Sequence, residues 1–335
     1  MPKLEPTWQN LPTHFKKSLV KQLDLKSRLN LSSSSKSDHN LVQSCALEIH
    51  EIHLELFSAE SNGVYPDYFY SIQETKNSKQ RIHAVFDSGQ EGVQFLMKLL
   101  GHLKSKVDTF DLSFKSQRGD SIENYHATME EFSLELTSEL EKIGSRKIKA
   151  RSLNSLADFK TTDIFLDILN CFDPSTLTQL RIQPRVSDEI MSRIIASEYW
   201  PNLNSLRLQR KTTVSIEKLL PLNAFHLSVD RYCRELRPQD VLNLVQTFID
   251  RNSPWASYFQ VLTTPDHRYD MEGTTRELTR TSLDIERDEQ YTDFTFKMSR
   301  CCDLVFVARI FQIGVQGAVC HVESLQKDKE WLLRV

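Results

Sequence analysis

The chain has 335 residues, with 42 Lys and Arg against 45 Asp and Glu and a formal net charge of −3, so it lacks the basic excess that nucleic-acid-binding domains carry. A hydrophobic fraction of 39% with 26% charged residues is the composition of a globular protein, and no stretch approaches the ~20 consecutive apolar residues of a membrane helix. The opening MPKLEPTWQN has no apolar signal-peptide core, and Cys45, Cys171, Cys233, Cys301, Cys302 and Cys320 are scattered without a C-x-x-C. Free, mostly buried thiols in the cytosol or nucleus are therefore expected, with no nucleic-acid or membrane partner.

The predicted elements begin with a helix opened by Asn10 and Pro12, since proline is tolerated in a first turn where its missing N–H has no partner to lose. Phe15, Leu19 and Leu23 follow at intervals of four, with Val20 beside them. Leu25, Leu29 and Leu31 predict a second helix of a turn or two, interrupted by the serines at 32–35, and Asp38, Leu41 and Val42 begin a third. Three helices in so few residues bury too little surface to close a core alone, so a partner is expected. Lys16, Lys17, Lys21, Lys26 and Arg28 make the segment basic, which suits an acidic partner surface and equally an ordinary solvated face.

The W-x-x-L-P opening (Trp8, Leu11, Pro12), the apolar spacing after it, the phrase at 25–31 and the closing residues 39–42 resemble the F-box of the large nematode F-box family. Many F-boxes carry a tryptophan near their end, where Val42, Gln43 and Ser44 stand here. The remainder is similar in layout to the FTH-type domain that often follows such a box. The resemblance implies that Trp8, Leu11, Pro12, Phe15, Leu19, Val20 and Leu23 dock on a Skp-type adaptor, and through it on a cullin. It also implies that the rest of the chain selects a target protein for ubiquitination.

After the helices the period changes. Leu47, Ile49, Ile52, Leu54 and Leu56 fall largely on alternation and predict a strand over 46–57, followed by a turn at 61–66 and short strands at 68–73 and 82–86. These read as a piece, residues 46–88, joining a module of residues 1–45 to a body of residues 89–325. In the body, helix and strand alternate: helix stripes at 93–103, 125–143, 164–172, 190–195, 216–220 and 238–249 precede strands at 110–114, 147–153, 177–182, 203–208, 225–229 and 258–262. The strands LTQLRI and LNSLRL share an L-x-x-L-x-apolar pattern and only alternate residues are apolar, whereas a strand covered on both faces reads as continuously apolar. The fold class expected is therefore α/β, a short helical F-box-like module followed by an irregular leucine-rich-repeat-like solenoid. Residues 263–281 read as an exposed polar loop. Alternating stretches at 283–285, 294–298 and 304–313 read as an antiparallel cap starting near residue 281, and residues 326–335 as a charged tail that frays or docks.

Catalytic grammar is sparse. There is no G-x-G-x-x-G, P-loop, G-x-S-x-G, H-E-x-x-H or EF-hand loop, and nine glycines leave little for a phosphate cradle. His50 and His53 lie near Glu51 and Glu55 but face opposite sides of a strand. Neither an enzyme, a cofactor nor a metal is expected. What remains is the polar face of the strands, where Lys149, Arg151, Arg181, Arg207 and His226 form a basic middle. Arginines across adjacent strands need solvent or an acidic partner to relieve them, so this face is the expected site for an acidic target segment. A scaffold with such a surface and no link to ubiquitination is the alternative.

Overall fold

The computed structural model describes residues 7–57, 68–77, 81–100, 102, 104–115, 122–142, 144, 147–155, 162–183, 185–222, 224–266 and 269–333. The turn expected at 61–66 lies outside them. The fold is mixed α/β, with helices first and a sheet-rich body after, and the chain divides into two compact units, residues 1–153 with 161–176 and residues 154–160 with 177–335.

The first unit opens with a short 3-10 turn (Trp8–Asn10) and three helices, α1 (Thr13–Gln22), α2 (Leu25–Ser34) and α3 (Lys36–Gln43). Pro12 stands one residue before α1, as its N-cap. The serines at 32–34 do not interrupt α2. They continue it, with Ser33 and Ser34 hydroxyls donating to the carbonyls of Asn30 and Leu31, while Ser35 ends it and caps α3 through the Asp38 N–H. Val20, Leu41, Val42 and Cys45 form a small buried cluster with Trp8 and Leu31 packed against it.

Those helices share their unit with β1 (Glu48–Phe57), β2 (Tyr68–Gln73), β3 (Ile82–Phe86), α4 (Gly89–Leu100), β4 (Lys106–Lys115), α5 (Ile122–Lys142), the start of β5 (Ala150–Ser155) and α6 (Thr162–Asn170). The strand order is β5-β4-β1-β2-β3. The expectation that residues 46–88 merely join two parts is corrected: β1 is the middle strand, antiparallel to β2 and parallel to β4. Its inward residues Ile52, Leu54 and Leu56 are wholly buried, and rings from the strands and helices complete the core, Tyr68 on Phe132, Tyr70 on Phe95 and Phe110 on Phe172 at 6.1, 5.4 and 5.3 Å between centroids.

The second unit contains β6 (Gln179–Ile182), α7 (Asp188–Ile195), β7 (Ser205–Thr212), α8 (Ile216–Leu219), β8 (His226–Tyr232), α9 (Pro238–Asp250), β9 (Tyr258–Thr263), α10 (Met271–Thr279), β10 (Asp284–Arg287), β11 (Tyr291–Lys297), β12 (Leu304–Phe311), β13 (Gly314–His321) and α11 (Leu325–Leu332). β6, β7, β8 and β9 are parallel neighbours in chain order, as successive strand-and-helix units require. On β6, β9 and the start of β7 burial alternates as the sequence does, with Leu180, Leu206 and Phe259 buried, whereas on β8 Leu227, Ser228 and Val229 are buried in succession. Pro238 opens α9 as predicted, and Asp240 at the third helical position accepts from the Arg237 backbone N–H at 3.1 Å, which satisfies one donor the helix leaves open.

Past β9 the order becomes β9-β13-β12-β11-β10, all antiparallel. Two expectations fail here, and one strand was not foreseen. The loop predicted at 263–281 contains α10, whose polar sequence buries little beyond Thr274 and Leu278, four residues apart; Asp270 caps it through the Gly273 N–H at 2.7 Å. The single stretch at 304–313 is one arm of a hairpin whose other arm, β13, has no alternation because seven of its eight residues are buried. Gly317 belongs to that second arm because a Cβ there would stand 2.5 Å from ring atoms of both Phe259 and Phe306. Finally, the tail is helix α11, which packs on β13 and lays Leu333 among Val307, Ala318 and Cys320.

Burial accounts for the thiols. Cys171 and Cys320 are buried, and loss of solvation pushes them up to about 11 and about 12, where they stay protonated and unreactive at neutral pH.

Candidate functional site

The residues expected to meet an adaptor divide into two groups. Leu11, Phe15, Leu19 and Leu23 recur every four residues, which places them along one side of α1 and its flanks. Phe15 is 47% exposed, Pro12 is exposed, and Leu11, Leu19 and Leu23 are half-buried. Val20 faces inward and is wholly buried in the cluster with Leu41, Val42 and Cys45, so its expected place in the adaptor contact is corrected to a place in the core. Trp8 is half-buried, donates its Nε1 proton to Asp38 at 2.7 Å and carries Lys16 over its ring at 5.6 Å. It ties the start of the segment to α3.

A second correction concerns Arg28. The side chain read as part of a basic face is 7% exposed. Its Nε donates to the Leu23 carbonyl at 3.0 Å, Nη2 to Lys21 at 2.9 Å and Nη1 to Ala46 at 3.1 Å. It therefore satisfies carbonyls at the end of α1 and at the exit from α3, which a helix end leaves open. Leu25 N–H bonds the Glu74 carboxylate at 3.0 Å and the Gln43 side chain bonds the Lys98 carbonyl at 3.0 Å. Thus the core of the three helices is closed within the first unit and does not wait for a partner.

On the open face of the same unit, β1 and β4 bring together His53, Glu55, Asp111 and Ser113. His53 Nε2 donates to Glu55 at 2.9 Å with Ser113 Oγ at 3.3 Å, and Nδ1 lies 3.9 Å from Asp111. Serine, histidine and aspartate stand here as a nucleophile, base and orienting group would, but Glu55 occupies the nitrogen that would have to take the serine proton. Asp111 above all, and Glu55 with it, outweigh burial and raise the imidazole pKa above its ordinary value, so the proton is held rather than moved. His50 pairs with Asp108 at 3.2 Å, and the two histidines do not converge.

Because the folded-state pKa of His53 lies above the unfolded value of ~6.5, its contribution to stability is full below that value and is lost as pH rises through the folded pKa. The urea midpoint of the native chain should exceed that of His53→Gln at pH about 6, and the difference should shrink by pH about 8.5. A difference that is flat or grows with pH would contradict the assignment.

Of the basic residues on the polar strand faces, Lys149 and Arg151 belong to the first unit, just before and within the start of β5, half-buried and exposed respectively. The other three belong to the second unit. Arg181 on β6 stands directly across from Arg207 on β7, which stands across from Ser228 on β8. Arg207 is not free for a target: its Nε and Nη2 donate to one oxygen of Asp230 at 3.1 and 2.9 Å, while the other oxygen accepts from Ser228 at 2.6 Å. His226 is also engaged. It lies 3.2 Å from the Ala256 carbonyl with its ring tilted against that of Tyr258 at 4.9 Å, and burial lowers its pKa, so it is neutral at physiological pH.

The register extends this row. Ser228 faces Gln260, Gln260 faces Gln316, Gln316 faces Arg309, and Arg309 faces Asp293. Its far end is buried beneath α11, where Arg309 meets Asp293 at 2.8 Å, Lys329 meets Asp293 at 3.1 Å and Glu286 as well, and Arg309 donates to the Leu333 carbonyl at 2.6 Å. The sequence signal for this lay in isolated charges inside apolar strands, Asp293 in YTDFTFK and Arg309 in LVFVARIF, each of which requires a partner if buried.

Compared with known families, residues 8–50 match the F-box domain and residues 130–272 match the FTH domain. A search of curated proteins finds no match. The first match covers the 3-10 turn, the three helices and the start of β1; the second runs from within α5 to the start of α10.

Proposed function

We propose that this chain, in which an F-box domain precedes an FTH domain, is the substrate-recognition subunit of a Skp-cullin-F-box ubiquitin ligase. F-box domains generally bind a Skp adaptor, and the cullin and the transfer machinery follow from that contact. The observation that carries the reading is the coincidence of the F-box match with an apolar edge on α1, in which Phe15 is exposed and Leu11, Leu19 and Leu23 are half-covered. Burying such side chains removes apolar surface from water at about 25 cal/mol per Å², and an aromatic at the centre of a patch is the usual anchor of an interface. The chain itself is then a non-catalytic receptor, and the body behind the F-box holds the target.

A scaffold that binds a partner without ubiquitination is the second reading, and it draws on the small core that the three helices close with their own unit. The two readings differ in one outcome. Co-purification with a Skp-type adaptor is expected for the native chain and is expected to be lost in Leu11→Ala with Phe15→Ala, whose circular dichroism should be unchanged because neither side chain is in the buried cluster. If the native chain retains no adaptor at micromolar concentration, the ligase reading fails and the scaffold reading takes its place.

A further inference from the structure

We infer that the open face of β6 and β7 takes a carboxylate side chain of an acidic target segment, with Arg181 as the residue that grips it. The inference rests on the receptor reading and specifies what the receptor recognises. Cross-strand register sets Arg181 beside Arg207, and like charges placed so repel. Asp230 answers only Arg207: one of its oxygens takes both guanidinium bonds and the other takes Ser228.

Arg181 is left with Nε shielded from solvent and without a hydrogen-bond partner among the described residues. A guanidinium nitrogen withdrawn from water with nothing to donate to is costly, and the planar fork of arginine fits the two oxygens of a carboxylate. Beside Arg181 on β6 and β7 the same face offers Gln179 and Ser205, which are neutral. An incoming carboxylate would meet one unanswered cation and one already answered, which selects an acidic side chain over a neutral or basic one.

The test uses the full chain and a fluorescein-labelled hexaglutamate peptide, read by anisotropy. Hexaglutamate should bind, more weakly as salt is raised, and hexaglutamine should not. Arg181→Gln should weaken binding about tenfold or more, and Arg181→Lys should restore part of it because an ammonium is a point charge without the fork. Equal binding of hexaglutamate by Arg181→Gln and the native chain would overturn the assignment, as would binding of hexaglutamate no tighter than hexaglutamine. Adaptor co-purification and hexaglutamate binding are measured together on the native chain. Retained adaptor with no peptide binding removes this site alone; peptide binding with no adaptor removes the ligase reading and leaves the site standing.

Discussion

Asp293→Ala should destabilise the second unit by about 3–5 kcal/mol, because it removes the shared partner of two buried cations. Asp293 is 1% exposed by side chain, Arg309 9% and Lys329 5%. Lys329 would keep only Glu286, and Arg309 would keep the Leu333 carbonyl and the face of Tyr291, 3.9 Å from its guanidinium. These contacts hold α11 on the sheet, so the loss should appear as a lower urea midpoint together with earlier hydrogen exchange in α11. The cost belongs to the orphaned charges rather than to a large net gain from the ion pairs. Replacing the whole group, Asp293→Leu with Arg309→Met and Lys329→Met, should therefore recover most of the stability. A loss below about 1 kcal/mol for Asp293→Ala would show that water reaches the cluster and that α11 is held by Leu333 and its apolar neighbours alone.

Arg28→Met should have the second large effect, about 3 kcal/mol lost from the helical start of the first unit, since three carbonyls lose a charged donor at once. Methionine keeps much of the volume, so the loss is of hydrogen bonds rather than of packing. Arg28→Lys should restore only part, because one ammonium cannot reach Lys21, Leu23 and Ala46 from the positions the guanidinium occupies. Adaptor co-purification should fall in parallel with stability, although Arg28 itself is buried and touches no partner in the proposed contact. Unchanged stability in Arg28→Met would mean that water can replace the guanidinium at all three carbonyls.

The elements whose two sides differ were legible in the sequence. Tyr68–Gln73 and Ile82–Phe86 fall where alternation places them, and LTQLRI and LNSLRL mark parallel neighbours with Arg181 and Arg207 in register. Legibility ended where both sides of an element are covered. β13 loses its alternation between Phe306 and Phe259 on one face and α11 on the other, and α11 reads as a tail because its buried Asp328 and Lys329 look like surface charges. For the same reason the charges at the sites were read as solvent-facing. A side chain's sign is visible in a sequence, but its partner is not: Arg207 reaches Asp230 across 23 residues, and Arg28 finds carbonyls, which no residue type announces. On α1 the four-residue spacing was read correctly, while the neighbouring Val20 was assigned outward because a helix of ten residues shows apolar side chains on more than one side.

Hydrogen exchange on the chain with and without a Skp-type adaptor addresses the central claim most directly, because it reads which backbone segment the adaptor covers. Slower exchange is expected across residues 11–23 on adding adaptor, with the strands of the second unit unchanged. No protection in that segment at saturating adaptor, or protection confined to the second unit, would contradict an F-box that docks through the apolar edge of α1.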